Sequence, residues 1–322
     1  MNTILIAGAG QLGSRHLQAL KKVSQSLEIT VVDPSKDALD VARQRYESIE
    51  GEAYPISYTT DIPTKPTDFT IAIVACNSNA RRSVIEKIVS AHNVQFFILE
   101  KILFQNKSDY DLIGKLLNKK KISAFVNCSM RKIDFYNKMK SDIGHGPIQY
   151  LVTGSRYGLI TNSIHYVDHM AYLTGCTVFD VRTDDLDPAV IDSKRKGFKE
   201  INGALHVSFD DGSTATMLCY KNGDLPVQVE ITSPVYRCIS RESEQKAWIC
   251  KASNNWKWED ADAAIPFQSQ ATAELVTELL DKGTCPLVEY DESTRIHLSL
   301  FEPLLQFLTN NTGYKDTLYP FT

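Results

Sequence analysis

Gly8-Ala9-Gly10-Gln11-Leu12-Gly13 follows a short apolar run, Thr3–Ala7, and opens a stretch, Leu12–Val23, with apolar residues at Leu12, Leu17, Leu20 and Val23. The run is too short for a helix and the stretch has the 3.6-residue stripe of one, so the order is strand, glycine turn, helix. In such a turn the first glycine permits the sharp reversal, the second lets backbone approach a pyrophosphate, and the third lets the helix pack closely on the strand. The unpaired N–H groups and positive end of the helix then hold the phosphates, so Gly8, Gly10, Gln11, Leu12 and Gly13 form a candidate cofactor-binding set. Asp33, twenty residues after Gly13, closes the next β-rich run, Ile29–Val32. A carboxylate there accepts both hydroxyls of an adenosine ribose and repels a 2′-phosphate. No Arg follows in Asp33-Pro34-Ser35-Lys36, so the expected cofactor is NAD rather than NADP.

Outward from this turn the alternation continues. Ser35 is placed to cap a helix running to Tyr46, Phe69–Ala75 reads as a buried strand, and Ala80–Ala91 as a helix with Val84, Ile85, Ile88 and Val89 inward. Phe96–Leu99 and Ile122–Val126 are further strands, separated by a helix over Ser108–Lys119. Strands apolar on both faces, alternating with amphipathic helices, predict a doubly wound parallel sheet of the Rossmann type over residues 1–125. From 126 to 322 the candidate strands are longer and alternate in polarity: Ile148–Ser155, Ala204–Phe209, Thr214–Tyr220, Val227–Thr232 and Ala247–Lys251. Asp210-Asp211-Gly212 is a hairpin signal between the second and third. Helices are expected near Ile164–Leu173, Ala271–Lys282 and Ser293–Leu308. The second domain is therefore read as α+β with a mostly antiparallel, open sheet, and the two domains are expected to share a cleft.

Composition narrows the function classes. The 322 residues are 43% hydrophobic and 23% charged with a net charge of −4, so there is no global positive field for a nucleic acid. No apolar run reaches the roughly 18 residues of a membrane span, and the N-terminus lacks the basic region of a secretory signal, which points to the cytoplasm. The seven cysteines are scattered, odd in number and never spaced CxxC, which argues against a disulfide framework or a structural zinc.

Leu99-Glu100-Lys101-Ile102 lies at the carboxyl end of a predicted strand, where ligands sit in doubly wound folds. With the glycine turn, with Ala75-Cys76-Asn77-Ser78, with Asn127-Cys128-Ser129-Met130-Arg131, and with the stretch Gly158-Leu159-Ile160-Thr161-Asn162-Ser163-Ile164-His165-Tyr166-Val167-Asp168, the chain resembles the glucose–fructose oxidoreductase/inositol dehydrogenase (Gfo/Idh/MocA) family. Some phrases are similar to members linked to bacterial surface-polysaccharide sugar synthesis. The resemblance implies an NAD(P)-dependent oxidoreductase acting on a sugar, cyclitol or sugar nucleotide, with Lys101 at the place of the family's active-site lysine and His165 at that of its catalytic histidine. It also implies a homodimer or homotetramer assembled through the open sheet. The family's Glu-Lys-Pro reads Glu-Lys-Ile here, and the family's Asp four residues before the histidine and Gly two before it are Thr161 and Ser163.

Each candidate has a chemical task. Oxidising a secondary alcohol needs a base for the hydroxyl proton while hydride leaves, and imidazole suits that exchange near neutrality. A lysine polarises the developing alkoxide or takes the proton if burial lowers its pKa. Thus Lys101 and His165 are the catalytic candidates. Cys76, Asn77 and Glu100 join the cofactor set, and Arg131, Tyr157, Asn162 and Asp168 are candidates for substrate contacts. Asp168 and His169 share a helix face with His165, yet no further clustered ligand appears, so no metal is expected. Trp248, Trp256 and Trp258, spaced by two at their end, read as one face of a strand. A reductase of a non-sugar substrate, such as a biliverdin-like pigment, and a non-catalytic NAD sensor are the rival readings.

Overall fold

The computed structural model describes residues 1–264 and 268–322. The chain divides into two compact units, Met1–Asn127 with Pro266–Asp291, and Cys128–Ile265 with Glu292–Thr322.

The first unit runs β1 (Asn2–Ala7), α1 (Gln11–Leu20), β2 (Leu27–Val32), α2 (Lys36–Glu47), β3 (Ile56–Thr59), β4 (Asp68–Val74), α3 (Ser78–Ala91), β5 (Asn93–Leu99), α4 (Lys107–Lys120) and β6 (Ser123–Val126). Its sheet has the order β3-β2-β1-β4-β5-β6, all parallel, with the short strand Val288–Glu289 added antiparallel beyond β6. The last four residues of β1, β4 and β5 are all buried. That pattern demands cover on both faces, and α1 packs with α2 on one side while α3 packs with α4 on the other. Ile4, Ile6, Leu17, Leu20, Ile29, Ile71, Ile73 and Ile98 belong to one apolar cluster. Ser35 caps α2 by accepting from the Ala38 N–H at 3.2 Å, as its position predicts. Lys119 and Lys120 lie in the last turn of α4, where cations suit the helix dipole.

The second unit contains a 3₁₀ turn at Ser129–Lys132, then α5 (Asp134–Asp142), β7 (Gln149–Ser155), α6 (Leu159–Thr174), β8 (Phe179–Arg182), β9 (Ile191–Asp192), β10 (Lys199–Glu200), β11 (Gly203–Phe209), β12 (Thr214–Tyr220), β13 (Gln228–Thr232), β14 (Tyr236–Arg241), β15 (Lys246–Lys251) and β16 (Glu259–Asp262). The remaining elements are α7 (Gln268–Lys282), β17 (Val288–Glu289) and α8 (Tyr290–Asn311). Eight strands form a sheet ordered β16-β15-β14-β13-β7-β12-β11-β8, antiparallel except where β7 meets β12. β11 and β12 are joined at Asp210-Asp211-Gly212, where Gly212 has φ +87°, the left-handed conformation a tight hairpin needs. α6 lies against β12 on the inner face.

Three expectations change. The boundary at 125 gives way to a discontinuous first unit, because α7 packs on α1 and β17 pairs with β6, returning residues 266–291 to the parallel sheet. α6 begins at Leu159, five residues before the expected Ile164, because a left-handed Gly158 turns the chain into the helix. Trp256 and Trp258 do not extend a strand. Asn255 and Trp256 both have positive φ and turn the chain after Trp248, which stands in β15. Strands β3, β8, β9, β10, β14, β16 and β17 and helix α5 have no counterpart in the sequence reading.

Candidate active site

In the first unit the strand ends are in register: Val32 pairs with Ala7, Ala7 with Val74, Val74 with Leu99, and Leu99 with Val126. The residue after each strand therefore falls on one line along the carboxyl edge of the sheet. Backbone bonds continue that line, from Gly8 N–H to Val32 O (2.8 Å), Ala75 N–H to Ala7 O (2.8 Å), Glu100 N–H to Val74 O (3.1 Å) and Asn127 N–H to Leu99 O (2.8 Å). The strand order reverses between β1 and β4, and there the chain ends of an open α/β sheet leave a crevice for a ligand.

The three glycines of the turn do different jobs. A Cβ on Gly8, whose φ is +101°, would stand 2.7 Å from the Cys76 nitrogen, and one on Gly13 would stand 1.7 Å from the Gly8 carbonyl oxygen. Those two are demanded by the chain's own packing. A Cβ on Gly10 meets no atom within 4 Å, so the fold alone does not require that glycine. α1 starts there with no side-chain cap and no acidic residue in its first turn. An open helix N-terminus beside an unfilled glycine fits a phosphate group. Asp33, at the end of β2, accepts from the Ala9 N–H through Oδ2 (2.7 Å) and from the Ser35 N–H through Oδ1 (2.9 Å). These residues fit an adenine dinucleotide.

Cys76 and Asn77 follow β4, with Asn77 at the start of α3. Burial pushes the Cys76 thiol up, so it is a neutral lining group. The loops after β4 and β5 are joined by Arg81, a fully buried guanidinium that donates to the carbonyl oxygens of Cys76, Ile102 and Leu103 (2.8 Å to the last). Lys101, buried at 9% exposure, directly precedes the anchored Ile102, and the Lys101–Ile102 peptide is cis.

Glu100 faces inward. Its Oε1 accepts from Asn127 Nδ2 (2.6 Å) and pairs with His16 Nε2 (2.9 Å), while His16 Nδ1 reaches Thr272 Oγ1 (2.8 Å). Burial would raise this carboxyl, but the hydrogen bonds from His16 and Asn127 and the positive field of Arg81 outweigh it and hold Glu100 ionised. Glu100 thus acts as a buried brace between α1, β5, β6 and α7.

In the second unit, α6 carries His165, Asp168 and His169. The Arg131 guanidinium, from the 3₁₀ turn, donates through Nε and Nη2 to the two oxygens of Asp168 (both 2.8 Å) and through Nη2 to Glu292 (2.7 Å). Burial raises the Asp168 carboxyl and Arg131 draws it back, and the balance leaves it at about 6. The two residues expected at the substrate form a bidentate pair with each other. His169 turns to Tyr150, with Nδ1 2.9 Å from its hydroxyl, and burial drives its imidazole down to about 3, so it is a neutral core residue. Among the described residues no group of three His, Cys, Asp or Glu side chains could hold a metal ion.

The turn into α6 holds the remaining candidates. Asn162 Nδ2 donates to the carbonyls of Tyr157 (2.6 Å) and Gly158 (3.1 Å), and the Tyr157 hydroxyl is buried without a hydrogen-bond partner among the described residues. Ser163 Oγ donates to the Ile160 carbonyl at 2.8 Å. Glu200, from β10, accepts from the N–H groups of Ile160 (3.0 Å) and Thr161 (2.9 Å).

His16, Arg81 and Glu200 were not anticipated. Arg81 had a usable signal: it precedes Ile85 and Ile88 by four and seven residues, an inward position of α3 held by a charge. His16 likewise lies one residue before Leu17 on a helix side that turns out to be buried. Glu200 lies in a short strand far along the chain, and nothing local marks it.

No family model and no curated protein matches the sequence. Solved structures do share the fold. An oxidoreductase from Agrobacterium radiobacter, in complex with NAD⁺, L-tartaric acid and magnesium, is 14% identical with a TM-score of 0.72 over 96% of both chains. A Gfo/Idh/MocA family oxidoreductase from Vibrio cholerae is 13% identical, with a TM-score of 0.68 over 96% of this chain and 100% of its own. UDP-N-acetylglucosamine 3-dehydrogenase GnnA from Acidithiobacillus ferrooxidans is 12% identical, with a TM-score of 0.67 over 94% of this chain and 96% of its own. The chain has the two-unit fold of these oxidoreductases, a mostly parallel Rossmann-like sheet followed by a mostly antiparallel one.

Proposed function

We propose that this protein is an NAD-dependent oxidoreductase that moves hydride between a nicotinamide and a hydroxyl or keto carbon of a sugar or sugar nucleotide, in the synthesis of surface-polysaccharide sugars. The observation that carries this reading is the register of the parallel sheet, which lines up Gly8 of the glycine turn, Asp33, Ala75 and Glu100 along one edge, with Cys76 and Lys101 next in the chain and Gly10 facing open space. The folds of an NAD⁺-bound oxidoreductase and of a sugar-nucleotide dehydrogenase support it.

A nicotinamide dinucleotide, when bound, supplies the hydride acceptor or donor. The chain's residues do the rest. The N–H groups at the start of α1 hold the pyrophosphate and Asp33 takes the ribose hydroxyls. The Lys101 ammonium stabilises negative charge growing on the carbinol oxygen. His165 takes the hydroxyl proton in oxidation and returns it in reduction. Tyr157 is the hydroxyl donor assigned to substrate, and Asn162 holds its turn. The Arg131–Asp168 pair acts at a distance, by fixing α6 to the turn before α5.

The outer face of the eight-stranded sheet is proposed as the contact of a homodimer or homotetramer. One register row there carries Leu151, Glu230, Ile239 and Trp248, and Leu151 is 37% exposed. No helix among the described residues is long and apolar enough to cross a membrane.

The test is a titration of the purified protein with NADH and with NADPH, followed by nicotinamide fluorescence, and then addition of keto-sugars and sugar nucleotides to the bound complex. Binding of NADH with sugar-dependent loss of fluorescence and recovery of NAD⁺ is the expected result. NADH that stays bound and unreactive across the panel would favour a sensor, and no dinucleotide binding would overturn the reading.

A further inference from the structure

The helix that carries His165 begins without a cap of its own. Gly158, at φ +80°, occupies the N-cap position and has no side chain to offer, and the first turn of α6 contains no acidic residue. The N–H groups of an α-helix's first turn need acceptors, and a negative charge is favoured there. Both needs are met from 40 residues away. Glu200 Oε2 accepts from the Ile160 N–H at 3.0 Å and Oε1 from the Thr161 N–H at 2.9 Å. The Thr161 side chain adds a further hydrogen bond to the same carboxylate. Glu200 is only 6% exposed. Burial raises its carboxyl, and the Thr161 side chain and the backbone donors pull it back towards the ionised form.

Glu200 thus places a carboxylate at the start of a helix whose first turn has no acidic residue. Titratable groups that feel it include the Tyr157 phenol, from the turn before α6, and the Cys219 thiol, from β12, and burial pushes both up, so they stay neutral. On α6 itself Asp168 and His169 follow His165 by three and four residues; Asp168 is paired with Arg131 and burial keeps His169 neutral. Its chain neighbour Lys199 alternates away and pairs with Asp192 at 2.6 Å. His165 lies one turn beyond Thr161, on the same helix face, about 6 Å further along the axis. Side chains in a helix lean towards its N-terminus, so His165 leans towards the turn that Glu200 holds.

We propose that Glu200 is the positioning residue of His165: a carboxylate brought in by β10 anchors the first turn of α6 and supplies the negative charge against which a protonated His165 is held. Residue 161, where the resemblance implies an aspartate, is a threonine whose N–H and side chain both bind this carboxylate. The chain thus brings to the first turn of α6, from a distant strand, a charge that this turn lacks. This inference rests on the reading of His165 as the acid/base group.

The test measures His165 without any substrate. The seven histidines are followed by ¹⁵N NMR through a pH titration, and a His165→Asn spectrum assigns the His165 signals. In Glu200→Gln, which keeps the side-chain shape and one acceptor oxygen, the His165 midpoint falls by about one pH unit, a tenfold loss of proton affinity. Adding Thr161→Asp to that variant returns the midpoint towards its original value. Glu200→Asp, which keeps the charge, shifts it less than Glu200→Gln does. A carboxylate that merely caps the helix would lower the melting temperature of Glu200→Gln while His165 titrates as before, and that result overturns the proposal. So does a midpoint shift that Thr161→Asp leaves unrescued. Because no dinucleotide is added, failure here is separate from failure to bind NADH.

Discussion

The backbone N–H of Ala9, in the turn after β1, donates to Asp33 Oδ2 at 2.7 Å, so the carboxylate at the end of β2 is tied to the loop that would hold a pyrophosphate. Substituting Asp33 therefore acts twice, removing a ribose acceptor and loosening the turn. A hydrogen bond to a charged group is worth about 1.5–3 kcal/mol, so Asp33→Ala is expected to weaken NADH binding roughly ten- to a hundredfold. NADPH binding falls less, since the charge that repels a 2′-phosphate is gone. Fluorescence titration with both cofactors decides, and equal losses would remove the ribose role.

Gly10 and Gly13 separate function from packing. Gly10→Ala adds a methyl into open space and should cost below about 1 kcal/mol of stability, while blocking close approach of a pyrophosphate. Gly13→Ala drives a methyl into the Gly8 carbonyl and should cost about 3 kcal/mol or more. Urea unfolding and NADH binding on the two variants should give opposite patterns. A Gly10→Ala protein that binds NADH normally would contradict the phosphate assignment.

Lys101→Ala is expected to lower turnover by a factor of roughly a hundred or more, the order of a lost charge stabiliser, with little change in NADH affinity. Turnover and the dissociation constant are measured on the same preparation. Equal loss of both would mean that Lys101 serves cofactor binding instead.

The Glu100 brace predicts an acid-side dependence of stability. Its carboxyl is held below its unfolded value by His16 and Asn127, so its contribution is present above about pH 4.5 and fades as the pH falls towards about 2. Glu100→Gln should be less stable than the parent at pH 7 and approach it as the medium is acidified. Chemical denaturation at a series of pH values reads this directly. A gap that stays constant with pH would show that Glu100 is not held ionised.

Arg131 and Asp168 form a buried pair, 10% and 1% exposed at their side chains. Removing either partner strands a buried charge, so Arg131→Met or Asp168→Leu alone should cost about 3–5 kcal/mol, and the double variant much less than the sum. A double-variant cycle by urea unfolding checks it. Additive losses would mean the two side chains act independently.

The local chemistry of the first unit was legible because it is written in near neighbours. Gly8, Gly10 and Gly13 lie within six residues, and the apolar runs of β1, β4 and β5 can be buried only in a sheet covered on both sides. The hairpin at Asp210-Asp211-Gly212 is of the same kind. Pattern and turn chemistry act over a few residues, and there the sequence alone determined the element.

What only the tertiary structure decided is which distant groups meet. Register places Gly8, Asp33, Ala75, Glu100 and Asn127 on one line, although they are spread over 120 residues. Glu100 meets His16 and Asn127 inside the fold, since a buried carboxylate requires partners that no spacing rule names. Residues 266–291 return to the first unit because β6 leaves a sheet edge that β17 covers. Arg131 meets Asp168, and Glu200 meets the start of α6, through contacts 37 and 40 residues apart. Charge compensation in a buried site is a property of three-dimensional neighbours, and only the folded chain supplies them.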